Sequence, residues 1–304
     1  MAIQNEIWVK YILDRLYKDN KFLQFAFNED QYVIGGAIVH IPQPGSAPAV
    51  VKNRSSFPAA AVQRTDTDIT YVLDEYTTTP THIKDADKVE LSYNKITSVF
   101  GDHAGGLTET VADDMIIKWL TGIAAGSIIK TTGAGAAATT AGQTGNRKVM
   151  VAKELQNAKL ILNLKNVPKD GRYSLLEDNM ADQLFTSLTD TQYRDFSAYA
   201  DMKNGVVGRL HGFDIMTRST VAIAAITTDA IDALGAAVGA TDNVVSMCWQ
   251  KDAVTRALGE KKFFENLNDA HHYGDVYSAL LRMGGRRRRT DGEGVVAIIQ
   301  DASA

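Results

Sequence analysis

The sequence predicts an α+β fold, and three observations carry that expectation. Residues 107–125 repeat their apolar positions every four residues, as a long amphipathic helix does. Short runs rich in β-branched and aromatic residues, among them Ile69–Tyr76 and Val244–Trp249, read as strands. Between two such runs, residues 42–67 carry Pro42, Pro44, Gly45, Pro48 and Pro58 among small polar residues, which reads as an extended β-arm with an exposed tip.

Taken in order, Ile3, Ile7, Trp8, Tyr11, Ile12 and Leu16 predict an N-terminal helix reaching about Phe25, broken at Gly35-Gly36. Ala37–Ile41 enters the arm as a strand and Ile69–Tyr76 leaves it. The long helix follows, with Gly105-Gly106 before it, Gly126 after it, and a length of about 28 Å. Its outer face opens with Glu109, Asp113 and Asp114, which suit a helix N-terminus. Thr131–Gly145 reads as a flexible Thr/Gly/Ala loop, and Val151–Leu164 as a helix closed by Asn166 and Pro168. A strand at Arg172–Leu176, a helix at Asn179–Leu188 and a hairpin through Gly212 into Asp214–Arg218 come next. Val244–Trp249 reads as a buried strand, Asp252–Leu258 as a short helix, and Asp275–Met283 and Val295–Gln300 as closing strands. No internal repeat or clean linker divides the chain.

Composition narrows the function. Of 304 residues, 32 are basic and 36 acidic, and a net charge of −4 argues against a surface built to clamp nucleic acid. A single cysteine, Cys248, excludes an intramolecular disulfide framework and a multi-cysteine metal site. Charged residues interrupt the first fifteen positions, so no signal-peptide core is expected there, and no run of about 18 apolar residues suggests a membrane span.

Catalytic motifs are weak. Gly133–Ala138 imitates a dinucleotide fingerprint with Glu154 some twenty residues on, but Glu154 falls in a helix and the glycines in a loop. A nucleotide-dependent enzyme is therefore the least favoured reading. His271-His272 are adjacent and point apart, His103 reads as a hydrogen-bonded loop residue beside Asp102 before the long helix, His211 sits in a turn, and Cys248 reads as a core residue. No catalytic set, metal site or cofactor is expected. Arg286–Arg289 is the strongest local charge, suited to phosphate or to ion pairs within or between chains. The arm tip is also basic, with Lys52, Arg54 and Arg64.

The order of these elements resembles tailed-bacteriophage major capsid proteins of the Hong Kong 97-type fold. Three segments carry the resemblance: Gly36-Ala-Ile-Val-His-Ile41-Pro42 at the arm entry; Arg172–Leu176 with Gly205–Ser219; and Gly284–Ile298 at the end. The resemblance implies an N-terminal arm over 1–36 and an extended β-arm over 37–78. It also implies a peripheral domain of 79–170 and 255–304, with the spine helix 107–125, and an axial domain of 171–254. It implies a structural protein without enzymatic activity, located in the virion, assembled in the host bacterial cytoplasm, and partnered first by itself as pentamers and hexamers. Portal protein, a separate scaffolding protein (the long N-terminal extension of some relatives is not seen here), decoration proteins and weak non-specific contact with packaged double-stranded DNA follow from the same resemblance. An encapsulin-type nanocompartment shell shares this layout and is the alternative. Within it, Lys52, Arg54 and Arg64 of one arm are expected to face a neighbour's Glu109, Asp113 and Asp114, fixing register and rate of assembly.

Overall fold

A computed structural model describes residues 20–35, 38–43, 49–55, 57–58, 61, 63–65, 67–84, 95–140, 142–289 and 292–303. Most of the expected N-terminal helix lies outside the described residues, and its described end, Lys21–Phe25, is a 3₁₀ turn. The strands β1 (Phe27–Asn28), β2 (Val33–Ile34), β3 (Ile38–Gln43), β4 (Thr67–Val72), β5 (Asp74–Thr77) and β6 (Thr81–Lys84) precede helix α1 (Lys95–Leu120). Then come β7 (Ile128–Lys130), β8 (Gly135–Ala137), β9 (Asn146–Lys148), α2 (Ala152–Leu164), β10 (Arg172–Glu177), α3 (Asp178–Ser187) and α4 (Asp190–Ser197). The chain closes with β11 (Gly208–Leu210), β12 (Phe213–Arg218), β13 (Ala222–Ala224), β14 (Asn243–Gln250), β15 (Thr255–Asp269), β16 (Gly274–Gly284), β17 (Val295–Ile299) and β18 (Ala302–Ser303).

These strands form four sheets. The largest runs β11-β12-β10-β14-β17-β7 with β13 also on β14, and is buried on both faces. That explains why β14 and β17 read as continuous apolar runs rather than alternating ones. Along β17, Val295, Ala297 and Ile299 face one core with α1, while Val296 and Ile298 face a second core with α2 and α3. The first core continues through α1 to the second sheet, β1-β15-β16-β5 with β6 on β16, by way of Phe100, Phe263, Tyr277 and Met283. Helix α1 is thus the shared spine between two sheets, with Trp119 set 6.1 Å from Trp249 and Phe22 edge-on to it at 6.0 Å.

Four local expectations change. The spine helix begins at Lys95, runs through Gly105-Gly106 and stops at Leu120. Each mid-helix glycine costs about 1 kcal/mol, which burial of Phe100, Ala104, Leu107 and Val111 around the pair offsets. Gly122, at φ +68°, ends the helix in the left-handed region, four residues before the expected stop at Gly126. Asp113 and Asp114 therefore lie mid-helix, not at its N-terminus. The expected helix at 252–258 is a single 3₁₀ turn, Lys251–Ala253, leading into β15, the longest strand described. Register shifts between Leu258 and Lys261 and again between Asn266 and Asp269 break its alternation, which hides the strand in the sequence. Finally, the expected flexible loop at 131–145 contains β8, which pairs with β9.

Candidate inter-subunit surfaces

The arm is the three-stranded sheet β2-β3-β4. Its inner face carries Val33, Val39 and Tyr71 in one cross-strand row and packs on Leu73 and Ala257. Tyr71 donates from its hydroxyl to Glu29 Oε2 at 2.8 Å and lies under the guanidinium of Arg286. Burial, reinforced by Glu29, raises the Tyr71 hydroxyl pKa above its ordinary value and keeps it a donor. The outer face shows the neighbouring row, Ile34, Ile38 and Val72, exposed side by side. Beyond it, at the tip, Val50 is 97% exposed and Phe57 78% exposed. Lys52, Arg54 and Arg64 of the same segment are also exposed.

A cleft of about 630 Å³ opens between α1 and the β5–β6 segment. Glu75, Thr78, Asp102, His103 and Thr110 line it, with Gly106 in its floor. His103 lies within α1 and not in the expected loop before it; it is buried, its Nε2 has no hydrogen-bond partner, and desolvation lowers its pKa despite nearby Asp102. Of the three predicted acidic residues, Glu109 is exposed one turn from this cleft. Asp113 instead pairs with Arg218 Nη1 at 2.5 Å, tying the end of β12 to the spine. Asp114 accepts from Tyr76 and pairs with Lys118, which also reaches Asp74. Sequence reasoning missed the Asp113–Arg218 link, whose residues stand 105 apart, and the Asp114–Tyr76 one, whose residues stand 38 apart.

The four arginines also have neighbours within the chain. Arg286 stacks on Tyr71, and Arg288 lies 4.1 Å from the Phe27 ring centroid. Arg287 donates to the Gly122 carbonyl at 3.1 Å, where burial lowers its pKa. Arg289 pairs with Glu293 at 3.0 Å. Arg288 and Arg289 remain exposed.

The other candidates take structural places. Glu154 accepts from the Val151 backbone and from both the backbone and hydroxyl of Thr132, clamping the start of α2 to the Gly/Ala segment. Residues 135–137 pair as a strand, so the strand-turn-helix geometry that cradles a pyrophosphate is not what this segment forms. Cys248 is buried, and desolvation pushes its thiol up to about 12. His211, at φ +51°, shares the tight β11–β12 turn with Gly212.

A family model described as phage capsid protein matches residues 29–301. The chain belongs to the phage capsid protein family. Among solved structures it is similar to that of Mycobacterium phage Che8, with a TM-score of 0.57 and 20% identity over 91% of this chain and 90% of that one. It is similar to the capsid of Ralstonia phage GP4 at a TM-score of 0.62 and 12% identity, over 92% and 88% of the two chains. Against the cyanophage Pam1 capsid asymmetric unit the values are 0.61 and 10%, over 93% and 92%. No curated protein matches. The fold is the Hong Kong 97-type capsid fold, and this capsid protein forms the phage head shell. The encapsulin alternative is not favoured. Among the described residues no helix is long and apolar enough to cross a membrane.

Proposed function

We propose that this capsid protein self-assembles as pentamers and hexamers, each chain laying its arm across a neighbour's spine helix and the cleft beside it. One observation carries the reading: the arm holds Val50, Phe57, Ile34 and Val72 in the open, far more apolar surface than so small a sheet needs exposed. The basic residues at the tip complement Asp102 on the rim of the cleft and Glu109 beside it, whereas Glu75 on the same rim is paired with Arg282. Asp113 and Asp114 have partners in their own chain, so Glu109 and Asp102 are the better acceptors. In this reading 79–170 and 255–304 form the peripheral part and 171–254 faces the symmetry axes. The two parts share the seven-stranded sheet through β7 and β17. A structural role without catalysis, assembly in the bacterial cytoplasm, and a portal and separate scaffolding protein as partners belong to the same proposal, supported by the family alone.

Light scattering with negative-stain imaging tests the arm. Reversing Lys52 and Arg54 to glutamate should slow shell formation, because rim charges act mainly on encounter and register. Glu109→Lys should restore the rate in the reversed background. Equal rates in all three proteins would remove the electrostatic contact from the proposal.

We also infer weak, non-specific contact with packaged double-stranded DNA through Arg288 and Arg289, whose side chains are exposed. Assembled shells should then retain duplex in a salt-dependent way, and Arg288→Ala with Arg289→Ala should abolish the salt slope. Retention unaffected by the double variant would exclude this patch.

A further inference from the structure

The β15–β16 hairpin ends in a turn that Asp269 opens and Gly274 closes, the two residues being paired across the strands. Strand β6 runs alongside, with His82 opposite Val276 and Lys84 opposite Gly274. His272 rises from the turn so that its ring centroid lies 5.6 Å from that of His82, the planes tilted by 47°. These residues are far apart in sequence and play no part in the arm or the cleft.

The hydrogen bonds around the pair fix which nitrogens face outward. Asp269 Oδ2 meets His272 Nδ1 at 2.7 Å, and Asp269 Oδ1 accepts from the His271 backbone at 2.9 Å. A carboxylate on Nδ1 keeps the proton there and leaves the lone pair on Nε2, the arrangement that orients a metal-binding histidine. His82 Nε2 is buried and has no hydrogen-bond partner, which is costly for a polar atom unless something binds it. Gly274 packs close beside this nitrogen: a Cβ there would stand 2.8 Å from it and 2.1 Å from the Ile83 carbonyl oxygen, so only glycine fits against the ring. Two imidazoles bound to one tetrahedral ion at about 2.0–2.1 Å place their centroids roughly 5 Å apart, close to the spacing seen.

We propose that His82 and His272 bind one late first-row divalent cation through Nε2 of each ring, with Asp269 as the carboxylate behind His272 and water completing the shell. Among the described residues no cluster of three or more metal-binding side chains occurs. The site is therefore an open two-histidine one, weaker than a structural zinc centre and tighter for copper than for zinc. The bound ion would tie β6 to the hairpin turn.

Calorimetric titration of the full chain with Cu²⁺ and Zn²⁺ tests this. One ion per chain is expected, tighter for copper, with a rise in Tm that a chelator reverses. His82→Ala and His272→Ala should each remove saturable binding, Asp269→Asn should weaken it about ten-fold or more, and His271→Ala should leave it intact. Cu²⁺ bound to the unmodified chain should show two equivalent imidazole nitrogens by electron paramagnetic resonance, a readout that needs no variant to fold. Absence of saturable binding, a one-nitrogen spectrum, or unchanged binding in His82→Ala overturns the proposal.

Discussion

The seven-stranded sheet buries side chains on both faces, whereas the arm sheet buries one and shows the other to solvent. In the sheet, β14 is buried at all eight positions, sandwiched between α1 on one side and α2 and α3 on the other. In the arm, the buried cluster consists of Val39, Leu73 and Ala257, with a rim of half-buried neighbours. The exposed row of Ile34, Ile38 and Val72 sits one residue out of phase with that cluster. A sheet covered on both sides specifies its own structure. A sheet covered on one side is complete only when another surface covers it, so the two regions divide the work of folding and assembly between them.

This contrast gives a paired prediction, with the larger effect first. Trp249 is fully buried, contacts Trp119 and Tyr173, and donates from Nε1 to the Phe25 carbonyl at 3.1 Å. Trp249→Ala should cost about 3–5 kcal/mol of stability, measured by chemical denaturation of the unassembled chain. Val50→Asp with Phe57→Asp in the arm should leave that stability within about 0.5 kcal/mol, yet lower shell yield about ten-fold or more in light scattering, as loss of an interface anchor does. Loss of stability in the arm variant, or normal assembly by it, would break the distinction.

Legibility in the sequence followed the same division. Strands β10, β14 and β17 and helices α2 and α3 declared themselves because burial on both faces, or a cap at one end, leaves a continuous local signal. Helix α1 was foreseen but mis-bounded: Gly105-Gly106 break the pattern in sequence, while the packing around Phe100 and Ala104 carries the helix through them. Strand β15 was missed because its bulges shift the register that alternation depends on. The arm was legible from its prolines and basic residues. Its apolar row was not, since Ile34, Ile38 and Val72 become neighbours only through strand pairing. The cleft and the Asp113–Arg218 link depend on long-range packing and left no local trace.

The smallest expected effect concerns the buried histidine in the cleft wall. Desolvation holds the His103 pKa below the ordinary histidine value of 6.5. Between that value and the lower folded one, the unfolded chain takes up a proton that the folded chain refuses, so stability falls as pH falls through this window and is fully present above it. His211 is shifted the same way, by burial and then by Lys159, and adds to the same slope. His103→Gln should therefore flatten the acid loss of stability without abolishing it, measured by denaturation of the unassembled chain at about pH 8 and about pH 5.5. An acid slope equal to that of the unsubstituted chain would show that the cleft wall is wet in solution and that His103 titrates as a surface group. A flatter slope would show a dry wall held by the chain itself, in contrast to the arm, whose apolar row is left for another surface to cover.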